Sequence, residues 1–123
     1  MVLLVDAANV VGSRPTGWWR DRAGAARTFV DQLRAAARDG RITQPVTVVL
    51  EGQARHGVEA GEADGVTVLH APGSGDDALV DVVEEAAPDH EVTLVTADRE
   101  LRRRAETLGA EVVGPGWLWG RVD

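Results

Sequence analysis

Cysteine and lysine are both absent from this 123-residue chain, and each absence excludes a class of function. Without cysteine there is no disulfide framework and no thiolate chemistry. Without lysine the chain lacks the Gly-Lys-Ser/Thr ending of a phosphate-binding loop. No segment approaches the roughly 18 apolar residues of a membrane span, and Asp6 interrupts the apolar start that a signal peptide would need. We therefore expect a soluble, cytoplasmic protein that does not contact membranes.

Acidic residues outnumber basic ones, with 20 Asp and Glu against 13 arginines and a formal net charge of −7. This balance disfavours broad electrostatic binding of nucleic acid. It is compatible with a nucleic-acid enzyme whose acids are gathered at a metal site. The length suits one domain with its own core, so we expect residues 1–123 to form a single domain.

Apolar runs alternate with amphipathic stretches along the chain. The runs have the length and the β-branched content of strands buried on both faces. They cover residues 2–5, 46–50, 66–69, 92–95 and 111–113. Helical periodicity predicts helices at about 23–37, 76–87 and 98–108. No element is predicted for residues 53–65. The aromatic tail, residues 114–120, is expected to pack back on the body. The alternation predicts a three-layer α/β/α domain with a five-stranded parallel sheet.

Acidic residues stand where predicted strands end and predicted helices begin. Asp6 ends the first strand, Asp98 follows the fourth, and Asp76 and Asp77 open the second helix. In a doubly wound sheet of order 3-2-1-4-5, strands one and four are neighbours, and ligands bind outside the carboxyl ends of the strands. We expect the four carboxylates to converge at that edge.

Asp98 and Asp77 also have a purely structural explanation. Asp98 stands where a helix N-cap belongs, and Ser74 with Asp77 resembles a capping box. Asp76, in contrast, lies within the apolar arc of its helix, whereas Asp77 points away from it. Asp76 is therefore the better metal ligand, and Asp77 is the better candidate for a water-mediated contact.

A cluster of carboxylates needs a compensating cation. Two carboxylates about 5 Å apart repel by roughly 3 kcal/mol at an effective dielectric constant near 20. All-oxygen ligation suits Mg²⁺ or Mn²⁺, and the three scattered histidines offer no pair at zinc-ligand spacing. The residues thus predict a Mg²⁺ or Mn²⁺ site held by Asp6, Asp76 and Asp98.

Aromatic and basic residues offer candidate contacts for a nucleic acid. Trp18 and Trp19 either form a lid that stacks on bases or cover the core. Arg99 belongs to a mostly solvated helix face, but it directly follows Asp98 and is placed to hold a phosphate.

Three motifs together resemble the NYN branch of the PIN-like nuclease superfamily, close to the bacterial YacP-like group. They are Val5-Asp-Ala-Ala-Asn9, Gly75-Asp-Asp-Ala-Leu79 and Val95-Thr-Ala-Asp-Arg-Glu-Leu101. The resemblance covers most of the chain in the same order, and it implies a PIN-like sheet of order 3-2-1-4-5. It also implies a metal-dependent ribonuclease. The family's functional positions fall on Asp6, Asn9, Asp76, Asp77, Thr96 and Asp98.

The prediction that follows is a Mg²⁺- or Mn²⁺-dependent endoribonuclease in which the cation activates a water. Its catalytic residues would be Asp6, Asp76, Asp77 and Asp98, and its substrate contacts Asn9, Thr96, Trp18, Trp19 and Arg99. The resemblance implies in-line attack that leaves a 5′-phosphate. RNA is the expected partner, and a homodimer or a partner protein that supplies RNA-binding surface stays open.

Two other classes of function remain open at this point. One is a catalytically silent RNA-binding or protein-partner module that retains the fold and its acids, and metal-dependent RNA cleavage separates it from the enzyme. The other is a phospho-accepting α/β domain that uses Asp6 or a neighbour, although no lysine is present for the phosphate contact that many such domains use.

Overall fold

Six strands form one sheet in the computed structural model, which describes all residues 1–123. They are β1 Val2–Asp6, β2 Val46–Leu50, β3 Gly61–Ala63, β4 Val66–His70, β5 Val92–Val95 and β6 Glu111–Val113. Their order across the sheet is β3-β4-β2-β1-β5-β6, and every pair except β3 with β4 is parallel. The five predicted strands therefore stand in the predicted order 3-2-1-4-5.

The predicted five-stranded, all-parallel sheet is wrong in one respect, because β3 adds a sixth strand at the edge. β3 runs antiparallel to β4, with Ala63 opposite Val66. The two residues between them, Asp64 and Gly65, have φ angles of 54° and 79°. Positive φ at both central residues is what a tight hairpin turn requires. The sheet is thus mixed rather than parallel throughout.

Five helices cover the sheet. They are α1 Ala7–Gly12, α2 Arg22–Arg38, α3 Gly75–Ala86, α4 Arg99–Thr107 and α5 Pro115–Val122, with short 3₁₀ turns at Trp18–Arg20 and Gly52–His56. The three predicted helices are confirmed as α2, α3 and α4. The tail folds as α5 and buries Leu118 and Val122, so its packing on the body is confirmed. None of the helices has the length and apolar composition that crossing a membrane demands.

Alternate side chains of β1 enter two separate cores, which is why the strand is an unbroken apolar run. Leu3 and Val5 pack in a core with α2 and α5. Leu4 faces the opposite way, into a core with α3 and α4. The three-layer α/β/α architecture is therefore confirmed. Asp6 has the parity of Leu4, so the pleat directs it toward the α3 and α4 layer.

Two close contacts fix the segments that border the carboxyl ends of the strands. A Cβ on Gly57 would lie 2.0 Å from the carbonyl oxygen of Ala23, so the turn after β2 can approach α2 only with glycine there. In the second contact, Trp119 donates through Nε1 to Ser13 Oγ at 3.0 Å, and the adjacent Arg14 forms an ion pair with Asp123. The second contact anchors the loop between α1 and α2 to the C-terminal helix.

Candidate active site

Asp6 occupies the junction between β1 and α1. It is 7% exposed, and its Oδ2 accepts a hydrogen bond of 2.8 Å from the Thr96 hydroxyl. Its Oδ1 accepts a longer bond, 3.4 Å, from the backbone N–H of Asn9 and so caps α1. Burial raises the pKa of Asp6 to about 6 despite these two bonds, and the nearby charges of Asp76 and Glu51 add to the rise. Asp6 is therefore a buried carboxyl group poised to lose its proton near neutral pH.

Thr96 and Asn9 join the end of β1 to the end of β5. Thr96 Oγ1 accepts a bond of 3.1 Å from the backbone N–H of Asp98, in addition to its donation to Asp6. Asn9 Oδ1 accepts a bond of 2.8 Å from the backbone N–H of Ala97. Both side chains thus have partners within the chain: Thr96 contacts both Asp6 and the backbone of Asp98, and Asn9 ties the start of α1 to Ala97. Direct contact of Asn9 and Thr96 with RNA stays a prediction.

Asp76 stands in the first turn of α3, half-buried as its place in the apolar arc predicts. Burial raises its pKa first, followed by the charges of Asp98, Glu51 and Asp77, and Arg104 offsets only part of this rise. Neighbouring acids contribute to the raised pKa values of both Asp6 and Asp76. The carboxylates therefore lie close enough to affect one another's charge. The expected convergence of Asp6, Asp76 and Asp98 at one edge is consistent with this coupling.

Asp98 and Asp77 both have structural partners. Asp98 Oδ1 accepts a bond of 3.0 Å from the backbone N–H of Leu101 and caps α4, as its structural explanation predicts. The backbone N–H of Asp77 donates to Ser74 Oγ at 3.4 Å, which is one half of a capping box. The Asp77 carboxylate is 71% exposed and pairs with Arg104 at 3.0 Å. Asp77 therefore lies at the rim of the site.

We call the four predicted acids together with Glu51 the acid group. Glu51 is the member that was missing from the predicted set. It directly follows β2, the neighbour of β1, in the way that Asp6 ends β1. Its Oε2 accepts a short bond of 2.6 Å from the backbone N–H of Gly75 at the start of α3. A parity count along β2 gives Glu51 the direction of Val49, toward α3, and that count would have found it.

Substitution of Gly75 by alanine is expected to disturb the site through Glu51. The added Cβ would lie 2.8 Å from Glu51 Cδ, so the carboxylate must move and lose its bond to the helix start. Because partners that orient metal ligands typically matter by 10–100-fold, we expect Mn²⁺ affinity to fall about tenfold or more. Isothermal titration with Mn²⁺ measures this without reference to activity.

Gly73→Ala provides the matched control for that substitution. Gly73 lies two residues earlier in the same loop, and a Cβ there meets nothing within 4 Å. We expect the Gly73→Ala protein to bind Mn²⁺ as the unaltered chain does. Equal affinities for the two variants would show that the Glu51 contact has no part in forming the site.

The chemistry of the acid group suits a hard divalent cation, but its side chains do not surround one common ion position. Its donors are all carboxylate oxygens, the ligands that Mg²⁺ and Mn²⁺ prefer. No three His, Cys, Asp or Glu side chains are grouped closely enough to hold an ion as they stand. Burial first, and then neighbouring like charges, raise the pKa values of both Asp6 and Asp76, so a cation bound among them would relieve this cost.

The predicted substrate contacts outside the acid group include two neighbouring tryptophans and one arginine. Trp18 is half-buried and Trp19 is 52% exposed, and their rings meet edge to face with centroids 5.8 Å apart. The guanidinium groups of Arg22 and Arg20 lie 4.9 and 5.7 Å from the ring centroids of Trp18 and Trp19, respectively. Arg99 is exposed in the first turn of α4, next to Asp98.

Comparison with known proteins identifies the fold. No protein-family model and no curated protein sequence matches the chain. Among solved structures, the W164L mutant of Rae1 (YacP) from Bacillus subtilis aligns with a TM-score of 0.72 at 17% identity, covering 99% of this chain and 74% of that one. A second structure of Rae1 (YacP) from the same organism aligns with a TM-score of 0.66 at 19% identity, covering 99% and 73%. The chain therefore has a YacP-like fold, while membership of the NYN branch stays a prediction.

Proposed function

We propose that this chain is a metal-dependent endoribonuclease. The observation that carries the proposal is the set of acids at the carboxyl ends of β1, β2 and β5, together with Asp76 in the first turn of α3, which Glu51 holds against β2. Burial and neighbouring charges raise the pKa values of Asp6 and Asp76. Carboxylates crowded at a ligand-binding edge are costly unless a cation joins them. The YacP-like fold agrees with the family resemblance of the three sequence motifs, and that resemblance implies ribonuclease activity.

Asp6, Asp76 and Asp98 are the proposed ligands of Mg²⁺ or Mn²⁺. The bound cation supplies activation of water and stabilisation of the charge that develops on the scissile phosphate. Glu51 holds the first turn of α3, and with it Asp76, against the end of β2. Thr96 and Asn9 keep Asp6 and Asp98 in register across the two central strands. Asp77 acts from the rim, where a water can connect it to the cation.

Cleavage of a circular single-stranded RNA tests the proposal directly, because a circle offers no ends to an exonuclease. We expect linear products with 5′-phosphates in Mg²⁺ or Mn²⁺ and none in excess chelator. Products that form equally well in chelator would contradict metal dependence. An intact circle under every metal condition, with RNA still bound, would instead establish the silent module.

One observation favours that silent module as the second candidate. Asp6 and Asp98 cap α1 and α4, and Asp77 pairs with Arg104, so three of the four predicted acids have structural uses. A fold that retained these residues for capping alone would keep the motifs without catalysis. Asp76 has no such use, since no hydrogen bond or ion pair occupies its carboxylate.

Trp18 and Trp19 are proposed to contact single-stranded RNA beside the acid group. Each Trp→Ala substitution is expected to weaken RNA binding by about 1–3 kcal/mol, the usual value of one base stacked on an aromatic ring. Fluorescence anisotropy of a labelled oligoribonucleotide in chelator measures the loss. Variants that bind RNA normally but unfold at lower temperature would make both tryptophans packing residues.

A further inference from the structure

A cavity of about 390 Å³ opens beside the acid group, between α1, the start of α2 and the turn at Gly52–His56. Its walls are mostly apolar, and the side chains that matter here are Ala8, Trp18, Arg22, Ala25 and Glu51. The size and the apolar lining with a few polar groups are those of a small-molecule site. The Gly57 contact with α2 holds one wall in place.

The cavity borders the proposed catalytic site. Glu51 forms part of its wall and also holds the start of α3. Ala7 and Ala8, which directly follow Asp6 in the chain, form another part. A group that fills the cavity therefore lies next to whatever the acid group binds.

Arg22 gives the cavity its charge. Its guanidinium lies 4.9 Å from the Trp18 ring centroid, in a geometry suited to a cation–π contact. The ion pairs of the structure engage six other arginines and leave Arg22 without a carboxylate partner. An aromatic wall beside an unpaired cation suits a ligand that is flat and apolar on its faces and carries a negative group.

We infer that this cavity is a subsite for one unstacked nucleobase of the RNA strand whose phosphate reaches the acid group. The inference rests on the proposed function for the identity of the strand, and it adds that recognition includes a base and not the sugar-phosphate chain alone. Trp18 stacks on the base, and Arg22 meets a neighbouring phosphate. Trp19, which does not line the cavity, contacts a base further along the strand.

Filling the cavity tests the subsite, and binding in chelator keeps the test independent of cleavage. The probes are a short oligoadenylate and a ribose-phosphate strand of the same length without bases. We expect the unaltered chain to bind the oligoadenylate at least about fivefold more tightly, which corresponds to about 1 kcal/mol for one stacked base. Ala25→Leu should lower the affinity for oligoadenylate by about fivefold or more, the share of the one base held in the cavity, and leave the base contact of Trp19.

Ala35→Leu is the matched control, because Ala35 lies on the same helix but outside the cavity, and it should bind as the unaltered chain does. Ala8→Leu fills the cavity from the exposed face of α1, and it replaces Ala25→Leu as the cavity-filling variant if that protein does not fold. Equal binding of both strands by the unaltered chain, or unchanged affinity in a folded cavity-filling variant, would overturn the subsite. Base-dependent binding without any cleavage would overturn the proposed nuclease activity and support the subsite. Cleavage with base-independent binding would support the nuclease activity and overturn the subsite.

Discussion

Asp76→Asn is expected to abolish metal-dependent RNA cleavage, with a loss of at least about a hundredfold, the upper end of the effect of altering partners around a metal site. The substitution keeps the shape of the side chain and removes one charge from the acid group. Burial raises the pKa of this carboxyl, and repulsion by Asp98 and Glu51 raises it further. The metal-free Asp76→Asn protein should therefore unfold at the same temperature as the unaltered chain or at a higher one.

Metal binding gives the same substitution a second, independent readout. A cation that binds only the folded state stabilises it by about 1.4 kcal/mol at ten times its dissociation constant. The unaltered chain should gain this in Mn²⁺, and the Asp76→Asn protein should gain much less. Asp81→Asn is the matched control, since Asp81 is exposed on the same helix. Cleavage at the unaltered rate by Asp76→Asn would remove that residue from the proposed site.

The central strands were predictable from the sequence because β1, β2 and β5 are buried on both faces, whereas their order was what the family resemblance implied. Leu4 and its neighbours Leu3 and Val5 serve opposite cores, which demands a continuous apolar run that is easy to recognise. β3 lacks this signature, because a three-residue edge strand needs little apolar surface. Its one available signal was the Asp64-Gly65 pair, a sequence typical of tight hairpin turns.

The two unpredicted helices have separate physical causes. α1 has only six residues and begins directly at the end of β1, so it is too short to show a helical period. Its start depends on a hydrogen bond to the Asp6 carboxylate, and this capping role was not predicted for Asp6. α5 is rich in tryptophan and glycine, and its packing against Phe29, at 5.5 Å between ring centroids, is a contact between distant parts of the chain.

Strand order predicts part of the candidate site, and contacts between side chains distant in sequence determine the rest. Adjacent parallel strands end at the same edge, so the grouping of Asp6 with Asp98 follows from strand order alone. The side-chain partners of these acids do not follow from strand order. Asp77 pairs with Arg104, 27 positions away in the sequence, and Asp6 accepts a hydrogen bond from Thr96, 90 positions away. Glu51 belongs to the first class and was predictable from its position after β2.

The stability of the metal-free protein is expected to fall as pH rises from about 4 to about 6, and Asp6 is the main cause. Its pKa is about 6 in the folded chain against 3.8 for an ordinary Asp. Between these values the folded state keeps a proton that the unfolded state has lost, so folding is favoured at the lower pH. The two pKa values correspond to a loss of about 3 kcal/mol that is complete above pH 6.

Asp6→Asn isolates this effect, because asparagine can still accept the hydrogen bond from Thr96 but does not titrate. In urea unfolding with chelator, the two proteins should be similar in stability near pH 4, and Asp6→Asn should be the more stable by up to about 3 kcal/mol at pH 7. Burial is the main cause of the raised pKa of Asp6, and a smaller part of the difference comes from its repulsion by Asp76. Saturating Mn²⁺ should restore stability to the unaltered chain at pH 7 and lose its effect below pH 6, where protons compete for the carboxylate. Parallel pH profiles for the two proteins would show that Asp6 is ionised without cost, and the case for a cation at this edge would then rest on Asp76 alone.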